Sequence, residues 1–171
     1  MENGQNKILA EQLKSANKEL ILDTIKSLRH DGNDEVLEIL TQIYLNQTNN
    51  EISQAIYRFF CDLKNQPSAE TVIRLIKNPE YHQAKKMLVS SCWQSRLNYI
   101  VYLETFIAMV FSEPFELAFE AFTVVENMEA RVSEQRKKEL LAFVDANMDN
   151  CIDDNLVLAD DLKGIIQLYP E

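Results

Sequence analysis

The sequence predicts an all-α fold built from stacked helical hairpins. The chain has 171 residues with only 3 Gly and 4 Pro, and the β-favouring Val and Thr are less frequent than Leu, Glu, Ala and Ile. Hydrophobic residues make up 46% of the chain and recur at spacings of three and four, which is the periodicity of amphipathic helices. A similar two-helix unit returns along the chain, as in a solenoid.

The apolar periodicity and the breaks between apolar runs divide the chain into about ten helices. Residues 1–4 are expected to be frayed. The predicted helices span residues 5–15, 18–30, 34–46, 51–64, 69–77, 78–94, 98–111, 113–127, 133–148 and 155–169. We expect Asn17, Asn50 and Ser133 to cap the helices that follow them, and Pro79 and Pro114 to occupy first turns. The helix over 98–111 is so apolar that we expect cover on more than one side.

The second helices of three hairpins share one pattern. An apolar residue is followed three positions later by Ala and, four positions further on, by a large apolar residue. The three sets are Ile52, Ala55 and Phe59; Tyr81, Ala84 and Leu88; and Phe115, Ala118 and Phe122. The Ala positions are 29 and 34 residues apart, a period typical of two-helix repeats. Because one hairpin cannot bury its apolar face alone, we expect these hairpins to stack.

The copy Asn78-Pro79-Glu80-Tyr81-His82-Gln83-Ala84, with Leu88 after it, resembles a HEAT repeat of the armadillo/HEAT class of α-solenoids. In that family the second helix often begins with Asp-Pro, an apolar residue, Arg and Ala. Here Asn78 and His82 stand where Asp and Arg are usual, and Tyr81 where Val is usual. The resemblance covers about residues 18–127. It implies a right-handed superhelix of about four to five hairpins, and a partner protein bound on the inner helix face.

The length is that of one domain over residues 1–171, with residues 130–171 as acidic capping helices. All of the net charge of −10 lies in residues 100–171, which hold 5 basic and 15 acidic residues, whereas residues 1–99 hold 12 of each. Because nucleic acids and anionic membranes attract Lys and Arg, we expect no nucleic-acid or membrane partner. The acidic half is interpreted as a solvated surface, and attraction to a basic partner is the alternative.

No apolar run is long enough to span a bilayer, and the N-terminal residues lack the pattern of a signal peptide. The three cysteines are far apart, without a CxxC motif, so we expect reduced thiols and a cytoplasmic location. No Gly-rich loop or His/Cys grouping occurs, so no cofactor is expected.

The polar side of the second helices is the expected binding surface. The repeat alignment places three residues on one ladder and three beside it: Tyr57, Lys86 and Glu120, and then Arg58, Gln83 and Trp93. An exposed Trp would serve as an anchor for a partner. We favour the alternative that Trp93 packs under the next hairpin, against Phe106 or Ile107, since a lone Trp is usually mostly buried.

One acidic run partly matches an EF-hand loop. Its candidate ligands are Asp145, Asn147, Asp149 and Asp153. Position six is Asn150 rather than Gly, and position twelve is Leu156 rather than the bidentate Glu. An Asx-rich turn between helices is therefore favoured over calcium binding.

Catalytic signals are weak. His30 and His82 are the only histidines, and we assign His30 to the end of its helix, where a cation suits the dipole. Cys92 is expected to be buried and inert. A DNA-glycosylase-type enzyme would need a basic groove and a poised acid. The residues available for these roles are Arg58, Lys85, Lys86 and Arg96, and Glu116 and Glu120. Phe115, Phe119 and Phe122 could resemble a base-stacking platform, but their helical spacing predicts core positions.

The predicted function is therefore a non-catalytic protein-interaction module or scaffold. It would bind its partner through the inner helix face or the acidic C-terminal half. A glycosylase-type enzyme and a small-molecule or metal sensor are the alternatives.

Overall fold

The computed structural model of the protein describes residues 8, 11–13, 15, 17–28, 34–129 and 131–171. Every regular element in these ranges is a helix, so the predicted all-α class is confirmed. The chain divides into two compact units, one ending at Leu97 and the other running from Asn98 to Glu171. The single domain over 1–171 stays a prediction.

The described part of the first unit contains five α-helices and a 3-10 helix. These elements are α1 (Lys18–Ser27), α2 (Asp34–Asn46), α3 (Asn50–Cys61), α4 (Ser68–Lys77), the 3-10 helix Pro79–Ala84, and α5 (Lys85–Gln94). Helices α1, α3 and α5 pack side by side in one layer, and α2 and α4 form the other layer. Across the two layers, α2 contacts α3 and α4 contacts α5, which is the alternation that stacked hairpins produce.

The core of the first unit lies between these two layers. Its fully buried large side chains include Leu37, Leu40, Ile56, Phe60 and Leu88. The 3-10 helix is attached to α2 through Tyr81, whose hydroxyl donates to Glu38 Oε1 at 3.0 Å and accepts from Gln42 Nε2 at 3.3 Å. Burial raises the pKa of Tyr81.

The described part of the second unit contains four α-helices and three short 3-10 turns. These elements are the turn Ile100–Tyr102, α6 (Leu103–Ser112), α7 (Phe115–Glu126), α8 (Glu134–Asn147), the turns Met148–Asn150 and Asp153–Asn155, and α9 (Leu156–Leu168). Helix α7 packs on α6 and α9 packs on α8. The two pairs stack because α6 contacts α8 and α7 contacts α9. Helix α6 contacts all three of the others, so the expected cover on more than one side is confirmed.

Two buried side chains connect the second unit across long sequence separations. The side chain of Asn155 is fully buried and its Nδ2 donates to Val110 O at 2.9 Å and to Glu113 O at 2.8 Å, which caps the end of α6. The hydroxyl of Tyr169 donates to Val125 O at 2.5 Å. Both contacts connect the C-terminal hairpin, α8 and α9, to the α6–α7 hairpin.

Several predicted boundaries need correction. The helix predicted over 78–94 begins as a 3-10 helix, because Tyr81 has the non-helical angles φ −102° and ψ 19°, and α5 starts only at Lys85. The cap of α3 is Asn49 rather than Asn50, since Asn49 Oδ1 accepts from Glu51 N at 2.9 Å. The helix predicted over 51–64 ends at Cys61.

Other local predictions hold. The caps at Asn17 and Ser133 are confirmed by side-chain bonds to backbone N–H groups of their first turns. Ala84 and Ala118 are fully buried, whereas Ala55 is half-buried. The predicted helix over 5–15 lies largely outside the described residues.

Candidate functional site

A polar bridge joins the exposed side of α3 to that of α5. The Tyr57 hydroxyl lies 2.9 Å from Ser90 Oγ. Gln94 Nε2 donates to that hydroxyl and also to Ser90 O at 3.3 Å. Tyr57 was predicted as a partner-binding residue, but here it is half-buried and hydrogen-bonded within the unit. These hydrogen bonds connect α3 to α5, and partner binding by Tyr57 stays a prediction.

Trp93 lies beside this bridge, on α5. The expectation that it would be mostly buried is wrong, because 40% of its surface is exposed. The buried stripe of α5 runs through Leu88, Val89 and Cys92, and Trp93 is turned about 100° from Cys92 around the helix. Its ring therefore sits at the edge of the core and presents one side to solvent.

The other predicted residues of the first unit also reach solvent. Lys86 is exposed and lies seven positions before Trp93, which is close to two helical turns, so the two share one face of α5. Gln83 is exposed one turn earlier, in the 3-10 helix, and Arg58 is exposed on α3. We define the platform as Arg58, Gln83, Lys86 and Trp93, with the Tyr57 bridge beneath them.

Glu120, the sixth predicted residue, lies on α7 in the second unit and is half-buried. It is therefore described separately from the platform. The acids Glu116 and Glu120 of the glycosylase alternative both belong to the second unit, and the four basic residues proposed for its groove belong to the first. The enzyme alternative stays a prediction.

Sequence reasoning missed two features. Gln94 was not singled out, although its spacing of four from Ser90 is the signal that places it on the same face. Phe115 and Phe119 were expected in the core, but they are 48% and 49% exposed. Helix α7 instead buries the stripe through Ala118, Ala121, Phe122 and Val125. Phe122 is buried, as predicted.

Two of the three cysteines have a raised pKa. Burial raises the pKa of the Cys61 thiol, an effect that the Tyr57 hydrogen bond opposes and Asp62 adds to. Burial and Asp153 raise the pKa of Cys151. Cys92 is buried, as expected, and its Sγ donates to Leu88 O at 3.3 Å. Reactive cysteines have a lowered pKa, whereas the pKa of Cys61 and of Cys151 is raised.

His82 is exposed, and its Nδ1–H donates to Pro79 O at 3.2 Å within the same 3-10 helix. This is a local bond of the helix. His30 lies outside the described residues.

The EF-hand-like run begins within a helix. Asp145 and Asn147 belong to α8. Asp145 pairs with Lys163 Nζ at 2.6 Å, and Asn147 Nδ2 donates to Phe143 O at 2.8 Å. An EF-hand ligates through a loop, whereas the first two candidate ligands here lie on a helix and already have partners within the unit. Over the residues that the structure describes, no three His, Cys, Asp or Glu side chains converge to hold a metal.

The first unit has an open depression of about 320 Å³ beside α1 and α2. The described residues lining it are Leu13, Ser15, Ile21, Ile39, Gln42, Ile43, Asn46 and Gln47, and none is charged. Among these residues, a ligand would find apolar walls, the Ser15 hydroxyl and the amide groups of Gln42, Asn46 and Gln47. In the described part of the chain, no helix combines the length and apolar character needed to cross a membrane.

Comparisons with known proteins return helical repeats. No protein-family model matches the sequence, and no curated protein matches it. Among solved structures, the chain is similar to an engineered protein from a structural genomics consortium, with 12% identity over 99% of this chain and 83% of that one, at a TM-score of 0.43.

Two designed armadillo repeat proteins are also similar. One shares 11% identity over 95% of this chain and 82% of its own, at a TM-score of 0.45. The other, solved in complex with the peptide (KR)4, shares 10% identity over 93% of this chain and 85% of its own, at 0.42. These similarities are too low to carry an argument about function, and membership of the HEAT family stays a prediction.

Proposed function

We propose that this chain is a non-catalytic protein-interaction module whose first unit binds a partner protein on the platform. The single observation that carries this proposal is Trp93, a large aromatic side chain that is 40% exposed. Trp and Arg are enriched among the residues that dominate binding energy at interfaces, and the platform offers both.

The bridge beneath the platform supports the same role. Tyr57, Ser90 and Gln94 connect α3 to α5 by hydrogen bonds. A surface whose helices are already fixed loses less conformational freedom on binding, which raises affinity for a given contact area. Trp93 can then act as an apolar anchor, and Lys86 and Arg58 as the polar rim.

Capture from an extract of the source organism tests the proposal. The wild-type chain and the double variant Trp93→Ala, Lys86→Glu are compared at moderate salt. Lys77→Glu is the matched control, because it makes the same charge change at an exposed position on α4, in the other layer. We expect a specific protein that the wild type and the control retain and the double variant loses.

Circular dichroism verifies that all three chains are equally folded. Equal capture by the wild type and the double variant would count against the platform. Failure of the wild-type chain to capture any protein would count against the interaction module itself.

A further inference from the structure

One side of α9 is open to solvent and partly apolar. Val157 is 73% exposed and Leu168 is 83% exposed. At 100° and 1.5 Å per residue, Val157, Asp161, Gly164 and Leu168 lie in one row roughly 16 Å long, and all four are exposed. We call these four residues the α9 face. Contiguous exposed apolar surface of this kind is typical of a site that another protein covers.

Gly164 lies in the interior of α9, although nothing in the described part of the chain requires glycine there. No glycine among the described residues has a positive φ. A methyl group at position 164 would meet no described atom outside its own helix within 4 Å. Since Gly destabilises a helix interior relative to Ala, the chain forgoes stability at this position. Glycine also lets another backbone approach closely, which is what the α9 face offers a partner.

Carboxylates surround the apolar part of this face. Residues 139–162 contain seven acidic residues and no Lys, Arg or His. Asp153, Asp154 and Asp161 are exposed and form no ion pair among the residues that the structure describes. The helix dipole accounts for Asp153 and Asp154 beside the first turn of α9, but Asp161 lies in the second turn, beyond the range of that effect.

The nearest cation in sequence, Lys163, already has partners. Its Nζ pairs with Asp145 at 2.6 Å. This hydrogen bond raises the pKa of Lys163, and Asp160 adds to the effect. Lys163 therefore serves Asp145 and Asp160, and we assign Asp161 rather than Asp160 to a partner.

We propose that the α9 face binds a helical segment of a partner protein, in which Lys or Arg residues border a strip of small and apolar side chains. The distance between two packed helices depends on the side chains at their contact, so the strip can approach α9 closely over Gly164. Val157 and Leu168 would pack against its apolar residues. The stems of Lys and Arg would lie along the apolar surface while their charged ends reach Asp161 and Asp153.

Other occupants fit less well. A wholly apolar helix would remove Asp161 from water without giving it a partner. A nucleic acid would bring phosphates to a row of carboxylates. A second copy of the chain would place Asp161 and its acidic neighbours against themselves, where like charges repel. The α9 face belongs to the second unit, so this inference goes beyond the function proposed for the platform.

Fluorescence anisotropy tests the proposal with the full chain. The probe is a labelled helical peptide of Ala, Leu and Lys, in which Lys borders a strip of Ala and Leu, and the matched peptide has Glu in place of Lys. We expect Gly164→Ala to bind the Lys peptide about fivefold more weakly, because the added methyl group holds the peptide away. Urea unfolding should at the same time show a higher midpoint for Gly164→Ala, since Ala favours the helix.

Two matched pairs of variants locate the site. Val157→Ala should weaken binding about fivefold, whereas Val101→Ala, which shortens a 75% exposed side chain elsewhere in the unit, should weaken it less than about twofold. Asp161→Asn should weaken binding about threefold at low salt and less at high salt. Asp149→Asn, which also removes an exposed charge, should bind like the wild type.

Two further controls separate the α9 face from the platform and from unfolding. The Trp93→Ala, Lys86→Glu variant should bind the peptide like the wild type, and an equal loss in that variant would move the site to the platform. Circular dichroism verifies that each variant is folded.

Four other results would overturn the proposal. They are no binding of the Lys peptide by the wild type, full affinity in Gly164→Ala, equal affinity for the Glu peptide, and a lower urea midpoint for Gly164→Ala, which would show that the chain's own fold needs the glycine. Sedimentation adds a fifth: a wild-type dimer that Gly164→Leu dissociates would assign the α9 face to a second copy of the chain.

Discussion

Replacing Asn155 by Ala should destabilise the second unit strongly. The side chain of Asn155 is fully buried, and its amide supplies donors to two carbonyls at the end of α6, Val110 O at 2.9 Å and Glu113 O at 2.8 Å. Alanine removes both bonds. Since removing one partner of a buried hydrogen bond costs roughly 1–3 kcal/mol, and Glu113 O is only partly buried, we expect a loss of about 2–4 kcal/mol in the free energy of unfolding.

The same site distinguishes an amide from a carboxyl group. Asn155 Oδ1 is buried and has no hydrogen-bond partner among the described residues. In Asn155→Asp both side-chain oxygens would face this site, where two carbonyls need donors. At neutral pH, Asn155→Asp should lower the free energy of unfolding more than Asn155→Ala does, because burial disfavours a charged carboxylate and so raises its pKa. Below the unfolded-state pKa of about 4, the carboxyl group of the Asn155→Asp variant is protonated in both the folded and the unfolded state. The stability difference between this variant and the wild type should therefore become smaller as pH falls.

Urea unfolding followed by circular dichroism measures these losses. Asn150→Ala is the matched control, because Asn150 is exposed on the connection between α8 and α9, and its loss should stay within about 0.5 kcal/mol. If Asn155→Ala is no less stable than Asn150→Ala, the buried amide does not hold the C-terminal hairpin against α6.

Three further predictions concern single contacts. Tyr169→Phe removes the bond to Val125 O and should lower the free energy of unfolding by about 1–2 kcal/mol. Because burial raises the pKa of Tyr169, the wild type should also lose stability as pH rises above about 10, and the Phe variant should lose less over the same range. A variant that loses as much stability above about pH 10 as the wild type would contradict this. Tyr57→Phe should cost about 1 kcal/mol, and a double-mutant cycle with Ser90→Ala should give a coupling of about 0.5 kcal/mol or more; strict additivity would argue against the bridge. Calorimetric titration with CaCl₂ should show no specific binding, and a heat that Asp145→Asn abolishes would restore the EF-hand interpretation.

The fold class and the repeat were largely predictable from local signals. The 3.6-residue periodicity and the scarcity of Gly and Pro identify helices without tertiary information. Of the three Ala residues in the repeat pattern, Ala84 and Ala118 are fully buried and Ala55 is half-buried. Errors fell at helix ends, as at Tyr81, where a 3-10 helix and an α-helix have the same apolar spacing over one turn.

The candidate surfaces were less predictable. Whether a side chain at the edge of an apolar stripe is buried depends on how far the neighbouring helix reaches. Trp93, Phe115 and Phe119 each lie at such an edge or at the first turn of a helix, and all three are partly exposed. Residue type alone predicts the opposite, since large aromatic side chains are usually buried.

The sequence by itself determined the helical class, the hairpin repeat and the placement of all net charge in residues 100–171, because these follow from composition and local spacing. Only the tertiary structure decided that Tyr57 bridges two helices and that Asn155 caps α6 from 42 to 45 positions away. It also decided that Phe115 and Phe119 are about half-exposed. Contacts between distant residues depend on helix orientation and packing distance, which no local pattern specifies.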